Sequence, residues 1–207
     1  MDYRQSPPMF VADAPGLDFL NSLATPADEP IDWISDGEGL LAWLEQAEMV
    51  PPAALAELRA QFPPARFDKV AEEARTLREW FRQFVRERKG RPLTGADLRE
   101  LEPLNWLLAR DERYGAIAPG SDGPLEFSER RRWTSPESLL MPIADALARL
   151  VCDEDFTHVK ACEGPRCTLL FADHTRGRAR RWCSMAACGN RAKAAAHRKR
   201  LKEREEG

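Results

Sequence analysis

Four cysteines, Cys162, Cys167, Cys183 and Cys188, constrain this chain more than any other feature. They read C-x4-C, a spacer of fifteen residues, then C-x4-C. Two close pairs joined by a spacer long enough to fold back suit one tetrahedral zinc held by four thiolates. The other readings are two disulfides or four unrelated buried thiols. Met1–Phe10 carries Asp2, Arg4 and two prolines, with no apolar run like that of a secretory leader. The expectation is a cytoplasmic chain, where a reducing environment favours metal over disulfide. The fifth cysteine, Cys152, closes an apolar periodic stretch and reads as an ordinary buried thiol.

Charge divides the chain in the same place. Residues 160–207 hold thirteen Lys and Arg against five Asp and Glu, a net of +8, whereas residues 1–159 sum to −11. Four thiolates around one zinc ion reduce the tail to +6. The overall −3 therefore hides an acidic body and a basic, metal-stapled tail. Such asymmetry points to an acidic partner, of which nucleic acid is the commonest. We set the boundary at the change of sign, giving domains 1–155 and 156–207. No run approaches the ~18 apolar residues that span a bilayer, which implies a soluble protein.

The body reads as mostly helical. Leu17, Leu20 and Leu23 recur at helical spacing, and Ser35 with Glu38 has capping-box spacing ahead of Leu40, Leu41, Trp43 and Leu44. Pro51-Pro52 ends that helix and starts another, with Leu55 and Leu58. Val70, Ala74, Leu77, Phe81, Phe84 and Val85 form the longest amphipathic stripe, stopped by Gly90. Thr94 is the next N-cap, and Pro103 restarts the chain before Leu104, Leu107 and Leu108. Between Tyr114 and Trp133 the turn-rich 119–124 separates two extended segments, a β-hairpin. Ser135-Pro136 then opens a helix carrying Leu139, Leu140, Ile143, Leu147 and Leu150. The fold class is mainly α with a small β component (α+β).

The tail has its own plan. Gly164-Pro165 suits a tight knuckle whose N–H groups face thiolate sulfur. Leu169–Phe171 reads as a strand, 173–177 as a turn, and Arg178–Trp182 as the returning strand. From Met185 to about Arg204 the chain is rich in Ala, Lys, Arg and Glu, so a helix follows, its first turn supplying Cys188. Knuckle, hairpin and basic helix make a treble-clef-like finger, with zinc standing in for a core too small to fold alone. Arg176, Arg178, Arg180 and Arg181 on the hairpin, and Arg191, Lys193, Arg198, Lys199, Arg200 and Lys202 on the helix, are the candidate phosphate contacts.

Cys183-Ser184-Met185-Ala186-Ala187-Cys188-Gly189-Asn190-Arg191-Ala192-Lys193 closely resembles the signature of CGNR-type zinc fingers, as do Leu170-Phe171, Asp173, Thr175-Arg176 and Arg180-Arg181-Trp182. Upstream, Leu17-Asp18-Phe19-Leu20-Asn21-Ser22 resembles the opening of the ABATE domain that precedes this finger, with Ser22 where the usual form has threonine. The resemblance implies a bacterial, stress-linked transcription regulator with a DNA-binding finger. Gly189 is read as allowing close approach to the thiolates, and Asn190 as turned inward to lock the knuckle rather than outward to read adenine.

The functional expectation is a zinc-containing protein that binds duplex DNA and is not an enzyme. The rival readings are an RNA-binding or protein-interaction module and a nuclease built on His174, Asn190 and His197. The finger's aromatics, Phe171 and Trp182, read as core rather than as stacking platforms for RNA. In the body, Asp18, Asn21, Trp43, Arg78 and Trp106 are candidates to line a small-molecule pocket, against the plainer reading of packing and bracing. A dimer is compatible with all of this. Loss of Cys183 is expected to unfold the finger and leave the body folded.

Overall fold

In the computed structural model, residues 6–25, 29–120 and 123–205 are described, without the side chains of Lys199 and of residues 201–205. The architecture is mainly α with three small antiparallel sheets of two strands each. Its axis is α4 (Pro64–Arg88), which starts on a first-turn proline and buries Phe67, Val70, Ala74, Phe81 and Val85 along one face. Each large apolar side chain so buried contributes about 1.5–3 kcal/mol. The helix α2 (Gly37–Gln46) packs on α4, and α3 (Pro52–Gln61) follows α2. Asp36, not Ser35, caps α2, its carboxylate accepting from the Gly39 N–H at 2.7 Å. Ser35 lies one residue too early, and its carbonyl accepts from Arg75 at 2.7 Å instead.

The short helix α1 (Pro15–Leu20) crosses α6 (Leu140–Asp153) closely. A Cβ on Gly16 would lie 2.7 Å from the Ala146 carbonyl oxygen, so only glycine permits that crossing. The strands β1 (Leu23–Ala24) and β2 (Ile31–Asp32) form a minimal ribbon beside it. Arg78, buried in α4, grips this ribbon with a fork to Asp32 (2.8 and 2.8 Å) and a bond to Ser22 Oγ at 3.0 Å. Breaking a buried pair of this kind from one side costs roughly 3–5 kcal/mol.

After a 3-10 turn at Gly95–Leu101, capped by Thr94 and Asp97, comes α5 (Glu102–Leu108). The hairpin of β3 (Arg113–Pro119) and β4 (Leu125–Arg131) follows, in a register that sets Ile117 opposite Phe127. Burial along α6 falls on Ile143, Ala144, Leu147 and Leu150, which leaves Cys152 on the outer face, exposed rather than buried.

The finger departs from the sequence reading in one respect. β6 (Leu170–Ala172) pairs backward with β5 (Val159–Ala161), not forward with Arg178–Trp182, which forms no strand. The first knuckle is thus the tip of the β5–β6 hairpin. Buried Asp173 turns the chain away after β6: it accepts from Thr175 N–H and Oγ1, from Lys160 Nζ at 2.7 Å and from the Arg180 N–H at 2.9 Å. With those bonds taken, residues 174–182 wrap as a loop. No helix among the described residues is long and apolar enough to cross a membrane.

Candidate metal centre

The β5–β6 tip carries Cys162 and Cys167. Cys183 ends the loop, and Cys188 sits in a π-turn, Met185–Gly189, that leads into α7 (Asn190–Glu205). Ser184 caps that turn, its hydroxyl accepting from the Ala187 N–H at 3.0 Å. The four Sγ atoms lie within 4.8 Å of one another, with Cys183–Cys188 at 3.6 Å and Cys167–Cys183 at 4.0 Å. A tetrahedron with Zn–S bonds of about 2.3 Å has edges of about 3.8 Å. The separations straddle that value and are far from the ~2 Å of a disulfide.

Protonation supports the same conclusion. The hydrogen bond between Cys167 and Cys183 pulls the Cys167 thiol down to about 5 and pushes that of Cys183 far up, while burial raises Cys162. Four thiolates cannot crowd together here without a cation among them. Backbone donors complete the cradle: the N–H groups of Gly164 (3.4 Å) and Cys183 (3.2 Å) point at Cys162 Sγ. Arg191 Nη2 donates to Cys188 Sγ at 3.2 Å. One structural Zn2+ with four cysteine ligands fits this set, and such a shell leaves no open position for substrate.

Glycine is needed at Gly164, where a Cβ would stand 2.8 Å from Cys188 Sγ and 3.2 Å from Cys167 Cβ. At Gly189 a Cβ would meet only the flexible Met185 side chain. Asn190 is exposed rather than turned inward, and it is Arg191 that reaches the ligand sulfur.

The body closes over the far edge of β6. Asn21, 3% exposed, donates to the Leu170 carbonyl (2.8 Å) and accepts the Leu170 N–H (2.9 Å), while the Ala172 N–H donates to the Ala12 carbonyl (2.8 Å). Asp18 Oδ1 in turn accepts the Val11 and Ala12 N–H groups, both at 3.0 Å. Burial raises the Asp18 carboxyl to about 6 despite those bonds. Leu169, Leu170, Phe171 and Ala172 consequently belong to one buried apolar cluster with Leu17, Leu20, Ile143 and Leu147.

Of the residues proposed for a body pocket, Asp18, Asn21 and Arg78 are therefore braces of backbone and helix. Trp43 is core, packed against Phe10 in a tilted contact and against Phe19 edge to face, and Trp106 is 69% exposed on α5.

The basic residues divide by role. Arg180 lies over the Phe171 ring (4.2 Å), pairs with Asp13 at 2.6 Å and donates to the Val11 carbonyl, so its guanidinium ties the finger to the body. Arg178 folds back onto the Asp173 carbonyl, and Arg181 pairs with Glu163 at 2.6 Å above Trp182. Arg176, Lys193, Arg198 and Arg200 are exposed. The side chains of Lys199 and Lys202 lie outside the described residues. A cleft of about 410 Å3 between knuckle and helix gathers Arg166, Arg191 and Arg198 around Pro165, Ala192 and Ala195. Arg166 was missed by reasoning on hairpin and helix alone, although it lies within the first C-x4-C. Phe171 is fully buried and Trp182 half-buried against the core, so neither offers a stacking platform. His174 pairs with Glu154 at 2.7 Å on the surface, and His197 is exposed on α7.

Residues 158–201 match the family model of the CGNR zinc finger. Residues 13–154 match that of ABATE, whose description reads "Putative stress-induced transcription regulator". No curated protein matches the chain. With some two thirds of its length inside the first model and its four zinc ligands inside the second, the chain belongs to the ABATE family and carries a CGNR zinc finger.

Proposed function

We propose that this protein is a DNA-binding transcription regulator whose treble-clef-like finger grips the phosphate backbone. The observation that carries the reading is the α7 surface. Beyond Ala192 every described side chain of the helix is exposed, and three guanidiniums converge on the cleft at its root. A helix so exposed gains little from packing, and its Lys and Arg side chains suit an acidic partner. At sixteen residues it is about 24 Å long, and an α-helix of about 10–12 Å diameter fits the wide major groove of DNA but not the deep, narrow one of duplex RNA.

A binding role also follows from the metal. Four thiolates close the zinc shell, so the ion they hold cannot activate water. The body holds the finger through Asn21, Ala12 and Arg180, so a ligand that displaced α1 would move the finger with it.

Fluorescence anisotropy of a labelled 20-bp duplex against salt concentration tests the proposal. With about four to six phosphates contacted, the log–log slope is about −4 to −5, and Arg166→Ala or Arg198→Ala each reduces it by about one. A slope near zero, or tighter binding to single-stranded RNA of the same length, overturns it.

A further inference from the structure

The β3–β4 hairpin has no role in the zinc site, and it carries three of the large exposed apolar side chains among the described residues. Ile117, Leu125 and Phe127 share one face and are 72%, 74% and 77% exposed. The arm is held at its base, where Asp111 takes a fork from Arg131 (2.6 and 2.8 Å) and Arg113 reaches Asp145 on α6 at 2.9 Å. No third strand pairs with it among the described residues. From this exposed arm we infer that the free edge of β4 pairs with β4 of a second copy of this chain, antiparallel about Ser128.

The backbone fixes the phase of that edge. The Arg132 N–H donates to the Glu112 carbonyl (2.9 Å) and the Gly120 N–H to the Pro124 carbonyl (2.7 Å). Antiparallel pairs alternate between bonded and non-bonded, so Glu126, Ser128 and Arg130 turn their N–H and C=O toward β3. Leu125, Phe127 and Glu129 turn theirs to the open side, a row of unpaired donors and acceptors ready for another strand.

Charge chooses the register. With the two-fold axis at Ser128, Glu126 faces the partner's Arg130 and Arg130 faces the partner's Glu126, both in non-bonded pairs, where side chains approach most closely. Neither residue has an ion pair of its own among the described residues. An axis at Glu126 or Glu129 sets like charges opposite each other, and one at Phe127 leaves Glu126 facing serine. The Ser128 register yields a four-stranded sheet, β3–β4–β4–β3, with Ile117, Leu125 and Phe127 of both copies on one face.

Size sets the strength. Edge pairing covers little apolar surface beyond the parts of Leu125 and Phe127 that flank the seam, far below the ~1,200 Å2 at which stable interfaces begin, so the pair rests on the main-chain ladder and is weak and reversible.

Sedimentation equilibrium of the zinc-loaded full chain from about 1 to about 200 μM tests the inference. The expected result is a reversible monomer–dimer equilibrium that Phe127→Asp abolishes. Glu126→Arg and Arg130→Glu should each weaken it about tenfold, and the two together should restore it to within about threefold. All three positions are exposed, so the variants retain the wild-type melting temperature and one zinc per chain. A monomer at every concentration overturns the inference, as does a dimer indifferent to Phe127→Asp. Failure of the double variant to recover overturns the register, and with it the assignment of this edge.

Discussion

Asn21 does for β6 what a neighbouring strand would do. Its carboxamide makes both bonds that the outward-facing Leu170 needs, at 2.8 and 2.9 Å, in a place where Asn21 is 3% and Leu170 4% exposed. Asn21→Ala removes both bonds and leaves two backbone groups buried without partners. Each such group costs about 1–3 kcal/mol, so the variant should lose about 2–5 kcal/mol of stability. In a chain of this size that is a fall of roughly 5–15 °C in melting temperature. Asn21→Asp should do no better, because it keeps the acceptor for the Leu170 N–H but sets a carboxylate against the Leu170 carbonyl. Urea denaturation of the zinc-loaded protein, followed by tryptophan fluorescence, reads the energy. Zinc transfer to a chromophoric chelator reads the site, and it should quicken because β6 begins three residues after Cys167. A loss below about 0.5 kcal/mol, with unchanged zinc transfer, would refute the claim that the body completes the finger's hairpin.

Three further outcomes follow from the same contacts. Because Leu169–Ala172 share the body's core, stripping zinc with a chelator or introducing Cys183→Ser should lower the melting temperature of the whole chain, seen by calorimetry as one shifted transition; an unshifted transition for the body would show that the core is not shared. Gly164→Ala should weaken zinc at least about tenfold in chelator competition, since its Cβ collides with a ligand sulfur, whereas Gly189→Ala should be tolerated; equal effects would contradict the geometry. Asp18, with its carboxyl raised from 3.8 to about 6, binds its proton more tightly in the folded than in the unfolded chain, so its contribution to stability falls as pH rises from about 4 to about 6 and is level above. The Oδ1 of an asparagine can accept the same two N–H groups, so Asp18→Asn should be more stable than wild type by about 1–2 kcal/mol at pH 7, and the gap should close below pH 4; a gap that does not change with pH would rule this out.

What could be read from sequence was what periodicity and spacing encode. The stripe from Val70 to Val85, the prolines opening α3 and α5, and the turn-rich segment between β3 and β4 each specify local structure without reference to the rest of the chain. The zinc ligands are equally local in their pairs. The partner of β6 was not legible, because three apolar residues pair as readily forward as backward. The decision rests with Asp173, which spends its carboxylate on Thr175, Lys160 and Arg180, and with an asparagine 149 residues away. Asp18, Asn21 and Arg78 left two readings open for a related reason: polar side chains set among apolar helix positions look alike whether they line a cavity or brace a backbone. Only the partners, the Leu170 backbone, the Ala12 N–H and the Asp32 carboxylate, tell the two apart.

The run from Leu17 to Ser22 and the cysteine framework, about 140 residues apart in sequence, are thus halves of one device. A two-stranded hairpin carrying a zinc knuckle has an open edge, and an open edge must be covered or it recruits another strand. The finger lacks a strand of its own to do so, since Arg178–Trp182 is held off as a loop. The body supplies the cover with one carboxamide and one carbonyl, and Arg180 reaches back across the same seam to Val11 and Asp13. Zinc fixes the start of α7 relative to the hairpin, and Asn21 fixes the hairpin relative to the body. The direction in which the basic helix projects is therefore set from within the acidic domain, through a seam of a few hydrogen bonds. A regulator built this way has a short physical path from its body to its basic helix.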